Sequence, residues 1–371
     1  MATRPDLTSP HLPVSDRPGA IATAEPGPPA PWDGREPEPA DWPVLVTGAG
    51  GFVGGHIARA LAGAGHRVRG LTRRPPVEEP DDPPIEWLIG DLLDGSVRRR
   101  AIEGVRGVIH AASWVCLGRA PRGTRQAVNV ESTRQLLDDS ARAGVERFVY
   151  TSTLYTLAAG TPDDPADEFT AWNLQRVDSP YTRTKRQAER LVLAASDLRL
   201  STIVLCPGMV MGPRDRKPTS TRIARTLARH RLALIPRGGI PIVDARLVAL
   251  AHRRALVAGG TGQRYAVVGP YLSYPELAAV VASITGRPRW VLTLPDRLEP
   301  VLARAADWLA PVVRRWFPDL SRQLVAGGFL RLHVRGARGD ACFGLEHPRA
   351  VESIAASLAT GAQVPAQVVE G

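Results

Sequence analysis

The stretch VLVTGAGGFVGGHIARALAGAGH, residues 44–66, decides the fold. It reads as an apolar strand, a glycine-rich turn and an apolar-periodic helix in direct succession. The strict spacing G-x-G-x-x-G from Gly48 fails because Val53 stands in the last place, whereas T-G-x-x-G-x-x-G fits at Thr47, Gly48, Gly51 and Gly54. Gly48 permits the tight turn, Gly51 lets the backbone approach a pyrophosphate at the helix N-terminus, and Gly54 lets the helix pack close to the strand. A glycine-rich turn alone is a weak signal, but between a strand and a helix it marks a dinucleotide-binding turn. Its candidate residues are Gly48, Gly51, Phe52, Val53 and Gly54.

Outward from this turn the pattern alternates. HRVRGLTRR (66–74), IEWLIGDLLD (85–94), GVRGVIHAAS (104–113) and VERFVYTST (145–153) read as further strands, and RQAVNVESTRQLLDDSARAG (125–144) as an amphipathic helix ending in glycine. Strands alternating with helices predict an α/β fold, a Rossmann-type doubly wound parallel sheet whose strand ends line one crevice. Residues 43–206 form the expected dinucleotide-binding domain, and 207–360 mainly a smaller C-terminal substrate-binding lobe with elements returning to the sheet. Residues 1–42 hold ten prolines and seven acidic against three basic residues. Such a composition cannot bury enough surface to offset its ordering entropy, so a disordered tail is expected there, and a flexible tail at 361–371.

A second signal is a rare residue. Of the 47 basic residues only Lys185 and Lys217 are lysines. Lys185 follows Tyr181 by four, so the two side chains share one helical face, which continues through Ala188 and Val192. Arg183, Arg186, Gln187 and Arg190 fall opposite. Asp178 or Ser179 can cap this helix, with Pro180 in its first turn. An inward lysine is costly unless something uses its charge, and its compact ammonium differs from the planar fork of arginine.

These motifs resemble the extended short-chain dehydrogenase/reductases, the NAD-dependent epimerase/dehydratase superfamily, over roughly Pro43 to Ala356. The resemblance rests on TGAGGFVG, GDL at Gly90 to Leu92, HAA at His110 to Ala112, Asn129, YTST at Tyr150 to Thr153 and YTRTK at Tyr181 to Lys185. CPGMVMGP from Cys206 and IVDARLVALAH from Ile242 extend it, although relatives usually carry Arg where this chain has Cys206. The nearest branch is the one with dihydroflavonol reductase-like and 3β-hydroxysteroid dehydrogenase-like members. The resemblance implies an NAD(P)-dependent enzyme in which Tyr181 is the general acid/base and Lys185 lowers its pKa and holds the nicotinamide ribose. Thr153 would bind the substrate oxygen, with Ser152 the alternative, because neighbours on a strand face opposite ways.

Asp91 would contact adenine, with Leu92 beside it, or else cap the next helix. Relatives that bind NAD place an acid at the end of the second strand. Here Arg73 stands there with Arg74 beside it and the first acid at Glu78, which points to a 2′-phosphate and hence to NADP, with NAD as the other possibility. Asn129 could hold a helix turn near the site or bond its own backbone. His110 is expected to be a satisfied strand-end residue, and Asp244 an anchor for the second lobe.

The implied activity is interconversion of a secondary alcohol and a ketone on an apolar small molecule. The alternatives are a nucleotide-sugar epimerase or dehydratase, with transient oxidation by bound cofactor, and a non-catalytic NAD(P)-sensing regulator, which would not need the Tyr181 and Lys185 pair. Cys116, Cys206 and Cys342 are too few and scattered for a disulfide framework or zinc site, so no metal and a cytoplasmic setting are expected. The net charge of +10 comes from dispersed arginines without a recognition motif, so no nucleic-acid partner is expected. No apolar run reaches membrane-spanning length, and the start has no apolar run like that of a secretory signal. A homodimer is compatible with the pattern.

In the second half, YAVVGPYLSYPELAAVVASITGRP (265–288) predicts a strand and a capped helix. Between Asp296 and Phe317 a stripe of Leu298, Val301, Leu302, Ala305, Leu309, Val312, Val313 and Trp316 is expected to pack in the lobe's core, with Pro311 breaking the helix in two. The stripe could instead wall an apolar substrate pocket; peripheral membrane contact, with Arg304, Arg314 and Arg315 nearby, is not the expectation.

Overall fold

The computed structural model of the chain describes residues 31–38, 43–115, 121, 123–196, 200–216, 218, 220–287, 290–313 and 320–359. The expectations attached to Cys116, Lys217, Arg314, Arg315, Trp316 and residues 1–30, 39–42 and 361–371 lie outside the described residues.

In chain order the strands of the first half are β1 (Val44–Thr47), β2 (Val68–Thr72), β3 (Glu86–Ile89), β4 (Gly107–His110), β5 (Arg147–Thr151) and β6 (Ser201–Pro207). Those of the second half are β7 (Met209–Met211), β8 (Leu232–Pro236), β9 (Gly239–Asp244), β10 (Gln263–Val267), β11 (Tyr271–Ser273) and β12 (Trp290–Leu294). The helices are α1 (Phe52–Gly63), α2 (Gly95–Ile102), α3 (Thr124–Gln126), α4 (Ser132–Arg142), α5 (Pro180–Ala194) and α6 (Arg222–Arg229). They continue with α7 (Ala245–Arg254), α8 (Tyr274–Thr285), α9 (Glu299–Val313), α10 (Arg322–Phe329), α11 (Ala337–Phe343) and α12 (Ala350–Ala359).

Seven strands form the main sheet in the order β3-β2-β1-β4-β5-β6-β10, with every neighbouring pair parallel. The chain leaves β1 toward β2 on one side and later returns to β4 on the other, so the crevice opens where the strand order reverses. β1 is buried along its whole length, as a central strand covered on both faces must be. Alternation along β5 sends Phe148 and Tyr150 into the apolar layer under α4 and α5, and Val149 into the layer under α1 and α7.

The C-terminal part builds a second body and returns β10 to the sheet edge. β7 and β9 run parallel, β11 pairs antiparallel to β9, and β8 pairs in parallel with β12. Met211, Leu227, Ile235, Ile242, Leu277, Val281 and Ile354 give this part its own apolar cluster. α8 starts with a full capping box, Ser273 with Glu276, and ends at Gly286 in the left-handed conformation.

Two expectations are corrected. Helix α9 runs through Pro311 to Val313, and its buried face is made by Ala303 and Ala306, while Val301, Leu309 and Val312 of the stripe are exposed. Helix α9 packs against α10. The tail, in turn, does not hang free over residues 31–38. Trp32 N–H donates to Ala341 O at 2.7 Å, the Arg254 guanidinium lies 4.6 Å over the Trp32 ring, and Glu36 pairs with Arg253 and Arg254 of α7.

Candidate active site

At the end of β1, Gly48 adopts φ +69°, and a Cβ there would sit 2.8 Å from the Ala112 backbone beyond β4. A Cβ on Gly54 would sit 2.3 Å from Gly48 O, so the first turn of α1 presses directly on the loop. Gly51 N–H closes the turn onto Gly48 O at 2.9 Å. Helix α1 starts at Gly51 with no side-chain cap and no acidic residue in its first turn. Its leading N–H groups, including those of Phe52 and Val53, are therefore available to an anion, and the turn fits a dinucleotide pyrophosphate.

Arg73 and Arg74 stand exposed just past β2. Of the acids that follow, Asp81 is exposed and the others are engaged elsewhere: Glu78 accepts from Trp87 Nε1 at 2.7 Å, Glu79 pairs with Arg214 and Arg216, and Asp82 with Arg59 and Arg214. Asp91, beyond β3, is exposed and accepts from Leu93 N–H at 2.9 Å, while Leu92 is buried. The cap of α2 is Asp94, three residues on, rather than Asp91.

Ser179 caps α5, its hydroxyl accepting from Thr182 N–H at 3.2 Å, and Pro180 opens the first turn. The helix thereby buries Tyr181, Lys185, Ala188 and Val192 against β5 and β6, as their spacing requires. Lys185 is only 2% exposed. Its Nζ donates to Thr151 O at 2.6 Å and lies 4.3 Å from the centre of the Tyr150 ring. Burial pulls its pKa down to about 7, against the opposing pull of Glu189 and Cys206.

The Tyr181 hydroxyl is pushed up to about 12, mainly by burial, with the Thr153 side chain at hydrogen-bonding reach holding it back and Tyr155 adding to the rise. Lys185 was expected to lower this pKa. In this geometry its ammonium is directed at Thr151 O and the Tyr150 ring, and burial dominates at the Tyr181 hydroxyl. Thr153 and Ser152 divide as strand alternation requires. Ser152 Oγ donates to Glu189 Oε2 at 2.5 Å inside the protein, and Thr153 is the one beside Tyr181.

Glu189 was not singled out by the sequence reading. It lies four residues after Lys185, fully inside, and also meets Arg264 Nη1 at 3.2 Å and Cys206 Sγ at 3.9 Å. Cys206 stands where the resemblance leads one to expect arginine; the guanidinium facing Glu189 comes from Arg264 on the adjacent strand β10. The i+4 spacing from Lys185 was the available signal. Tyr155, Trp172, Met209, Tyr274 and Leu330, likewise not anticipated, pack partly buried against the same core cluster.

The remaining candidates are braces. His110 is fully buried between Thr47 Oγ1 at 2.7 Å and Thr133 Oγ1 at 2.9 Å. The Thr133 hydroxyl donates to Asn129 O, so it accepts from Nε2–H, and burial holds the imidazole neutral with its pKa lowered to about 3. Asn129 sits in a π-helical turn, Ala127–Glu131. Its side chain accepts from Trp114 N–H at 2.7 Å and donates to Thr184 Oγ1 at 3.1 Å, tying the loop after β4 to α5. Asp244 caps α7 and accepts from Ser353 Oγ at 2.7 Å, joining β9 to α12 as expected of an anchor.

Comparison with known proteins agrees with this geometry. The family described as NAD dependent epimerase/dehydratase matches residues 44–252. Sterol demethylase protein B of Methylococcus capsulatus is 32% identical over 301 residues, covering 80% of this chain and 90% of that protein. A putative dihydroflavonol 4-reductase of Synechocystis is 32% identical over 259 residues, 68% of this chain and 75% of its own. The crystal structure of gox2253 superposes with a TM-score of 0.73 at 30% identity, covering 87% of this chain and 98% of that one. With its glycine turn at the switch point of a parallel sheet and its Tyr181 and Lys185 pair on α5, the chain belongs to the NAD-dependent epimerase/dehydratase family and is an NAD(P)-dependent enzyme of the extended short-chain dehydrogenase/reductase type.

Proposed function

We propose that the protein is an NADP(H)-dependent oxidoreductase that interconverts a secondary alcohol and a ketone on an apolar, ring-fused substrate. The observation that carries this reading is Tyr181 beside Thr153, with Lys185 one turn along the same helix. A dinucleotide held there would supply or accept the hydride. Thr153 orients the substrate oxygen toward the Tyr181 hydroxyl. With its pKa near 12 that hydroxyl holds its proton at neutral pH and can donate it to a developing alkoxide, which favours reduction over alcohol oxidation. Lys185 would hold the ribose hydroxyls with its ammonium, and the first turn of α1 the pyrophosphate.

Preference for NADP is supported by Arg73 and Arg74, whose neighbouring acids Glu78, Glu79 and Asp82 all have other partners, leaving the guanidinium charge for a 2′-phosphate. An apolar substrate is supported by Tyr155, which lies close enough to Tyr181 to raise its hydroxyl pKa, by Trp172, whose Nε1–H donates to Tyr155 O at 3.2 Å, and by relatives named for a sterol and a dihydroflavonol. Two measurements test the reading. NADPH is expected to bind about tenfold or more tighter than NADH, with Arg73→Ala narrowing the gap; equal affinities in the wild type reject NADP preference. Hydrophobic ketones are expected to oxidise NADPH, and Tyr181→Phe to abolish turnover while leaving cofactor affinity nearly intact. Isomerisation of UDP- or GDP-sugars without net NADPH consumption, together with inactivity on every ketone, would replace this reading with the epimerase one.

A further inference from the structure

The C-terminal part carries large apolar side chains on its outside, in two places linked by one helix. In the ribbon of β8 and β12 the register sets Trp290 opposite Leu232 and Leu292 opposite Leu234. All four are exposed, Trp290 at 78%, while Ile235 and Val291 pack inward on the lobe's cluster. A half-buried ribbon ordinarily puts polar residues on its solvent face. On α9 the same inversion occurs: Ala303 and Ala306 are buried, and Val301, Leu309, Val312 and Trp308, the last 87% exposed, face out. Helix α10 packs on both α9 and β8, with a Cβ on its Gly328 meeting Pro236 at 2.9 Å.

The charge around these rows is predominantly positive; the exposed Asp307, beside Trp308 on α9, accepts from Arg322 N–H at 3.3 Å. Asp296 and Glu299, between β12 and α9, are paired with Arg331 and Arg176, each at 2.7 Å. Arg229 and Arg231, which lead into β8, Arg237 after it, Arg297 after β12 and Arg304 on α9 are exposed and have no ion-pair partner among the described residues. We propose that the outward faces of the β8–β12 ribbon and of α9 form a surface that seats on an anionic lipid bilayer. Exposed tryptophans enter the headgroup boundary with their apolar bodies toward the acyl chains, and the arginines answer the lipid phosphates. A second copy of the chain fits poorly, because a two-fold contact would bring these arginines against one another. The inference is independent of the substrate reading, and it takes up the alternative of peripheral membrane contact over the expectation that the α9 stripe packs in the core.

The test is co-sedimentation of the full chain with phosphatidylcholine vesicles, with and without one-third phosphatidylglycerol. The protein is expected to pellet with the anionic vesicles and to be released by high salt. The double variant Trp290→Ser/Trp308→Ser is expected to lower partitioning about tenfold or more, and Arg231→Gln/Arg297→Gln to weaken it on anionic vesicles only. All four positions are exposed, so unchanged melting temperature and NADPH affinity verify folding in each variant. Failure to pellet with anionic vesicles, or undiminished binding by the folded tryptophan variant, overturns the proposal. So does a vesicle-free dimer in ultracentrifugation that the same variant dissociates, since that assigns the surface to a second copy.

Discussion

Lys185 keeps its ammonium in a shell that only partly compensates for lost water. The groups facing it are the Thr151 carbonyl, the Tyr150 ring, Glu189 one turn on, Cys206 on β6 and neutral His110 on β4. Burial brings its pKa from 10.5 to about 7. If the charged form holds the ribose, NADPH affinity is flat below pH 7 and falls as pH rises above it, by up to about tenfold per unit until the bound-state pKa is reached. The stability contribution has the opposite sign. Between about 7 and 10.5 the unfolded chain binds the proton that the folded one has lost, so stability from this group rises with pH across that window. Glu189→Gln removes the carboxylate that raises the Lys185 pKa, so the binding limb is expected to move to lower pH; Lys185→Arg should weaken binding and erase the limb. Fluorescence titration of NADPH across pH 5.5–9 decides it, and an unmoved midpoint in Glu189→Gln rejects a positioning role for that carboxylate. Tyr181 and Lys185 were legible because lysine is rare in this composition and their spacing is helical. Glu189 was not, since an isolated glutamate on a helix ordinarily reads as solvated, and only the folded sheet shows that Ser152 and Arg264 meet it.

The turn between β1 and α1 is tight enough that a single methyl group tests it. Gly54→Ala would force a Cβ to within 2.3 Å of Gly48 O, a backbone atom that cannot rotate away. The helix must then shift off the loop, at a cost of about 1–3 kcal/mol, and the N–H groups offered to the pyrophosphate move with it. Calorimetry is expected to show a lowered melting temperature, and titration a loss of NADPH binding greater than the stability loss alone produces; wild-type affinity for NADPH would mean that α1 does not hold the pyrophosphate. This element was readable because the strand, glycines and helix stand consecutively and each constrains the next. Helix α9 was misread for the converse reason. A stripe of large apolar residues at helical spacing signals a face but not which neighbour covers it, and here the buried positions are Ala303 and Ala306. The break expected at Pro311 is not seen, since α9 continues past it to Val313, only two residues further on.

Across the whole molecule, the N-terminal segment and the C-terminal helices meet on the α7 side of the sheet. Glu36 accepts from both Arg253 and Arg254, and Arg254 also donates to the carbonyls of Phe343 and Gly344 at the end of α11. Trp32 completes the contact, its ring under Arg254 and its N–H on Ala341. Residues far apart in sequence thus converge on one guanidinium, a convergence that composition could not signal: ten prolines and an acidic balance read as an unattached segment. Each ion pair is partly exposed and worth about 0–1 kcal/mol, and the stacked tryptophan adds about 0.5–1 kcal/mol. Deleting residues 1–42 is therefore expected to lower the melting temperature by about 2–4 °C while leaving turnover unchanged, since none of these groups touches the crevice. Trp32→Ala with Glu36→Gln in the full chain should reproduce most of that shift. High salt should narrow the difference through the ion pairs and leave the stacking part. A deletion variant that melts with the intact chain would show that the segment makes no net contribution; a full effect of deletion with none from the double variant would place the stabilising contacts elsewhere in residues 1–42.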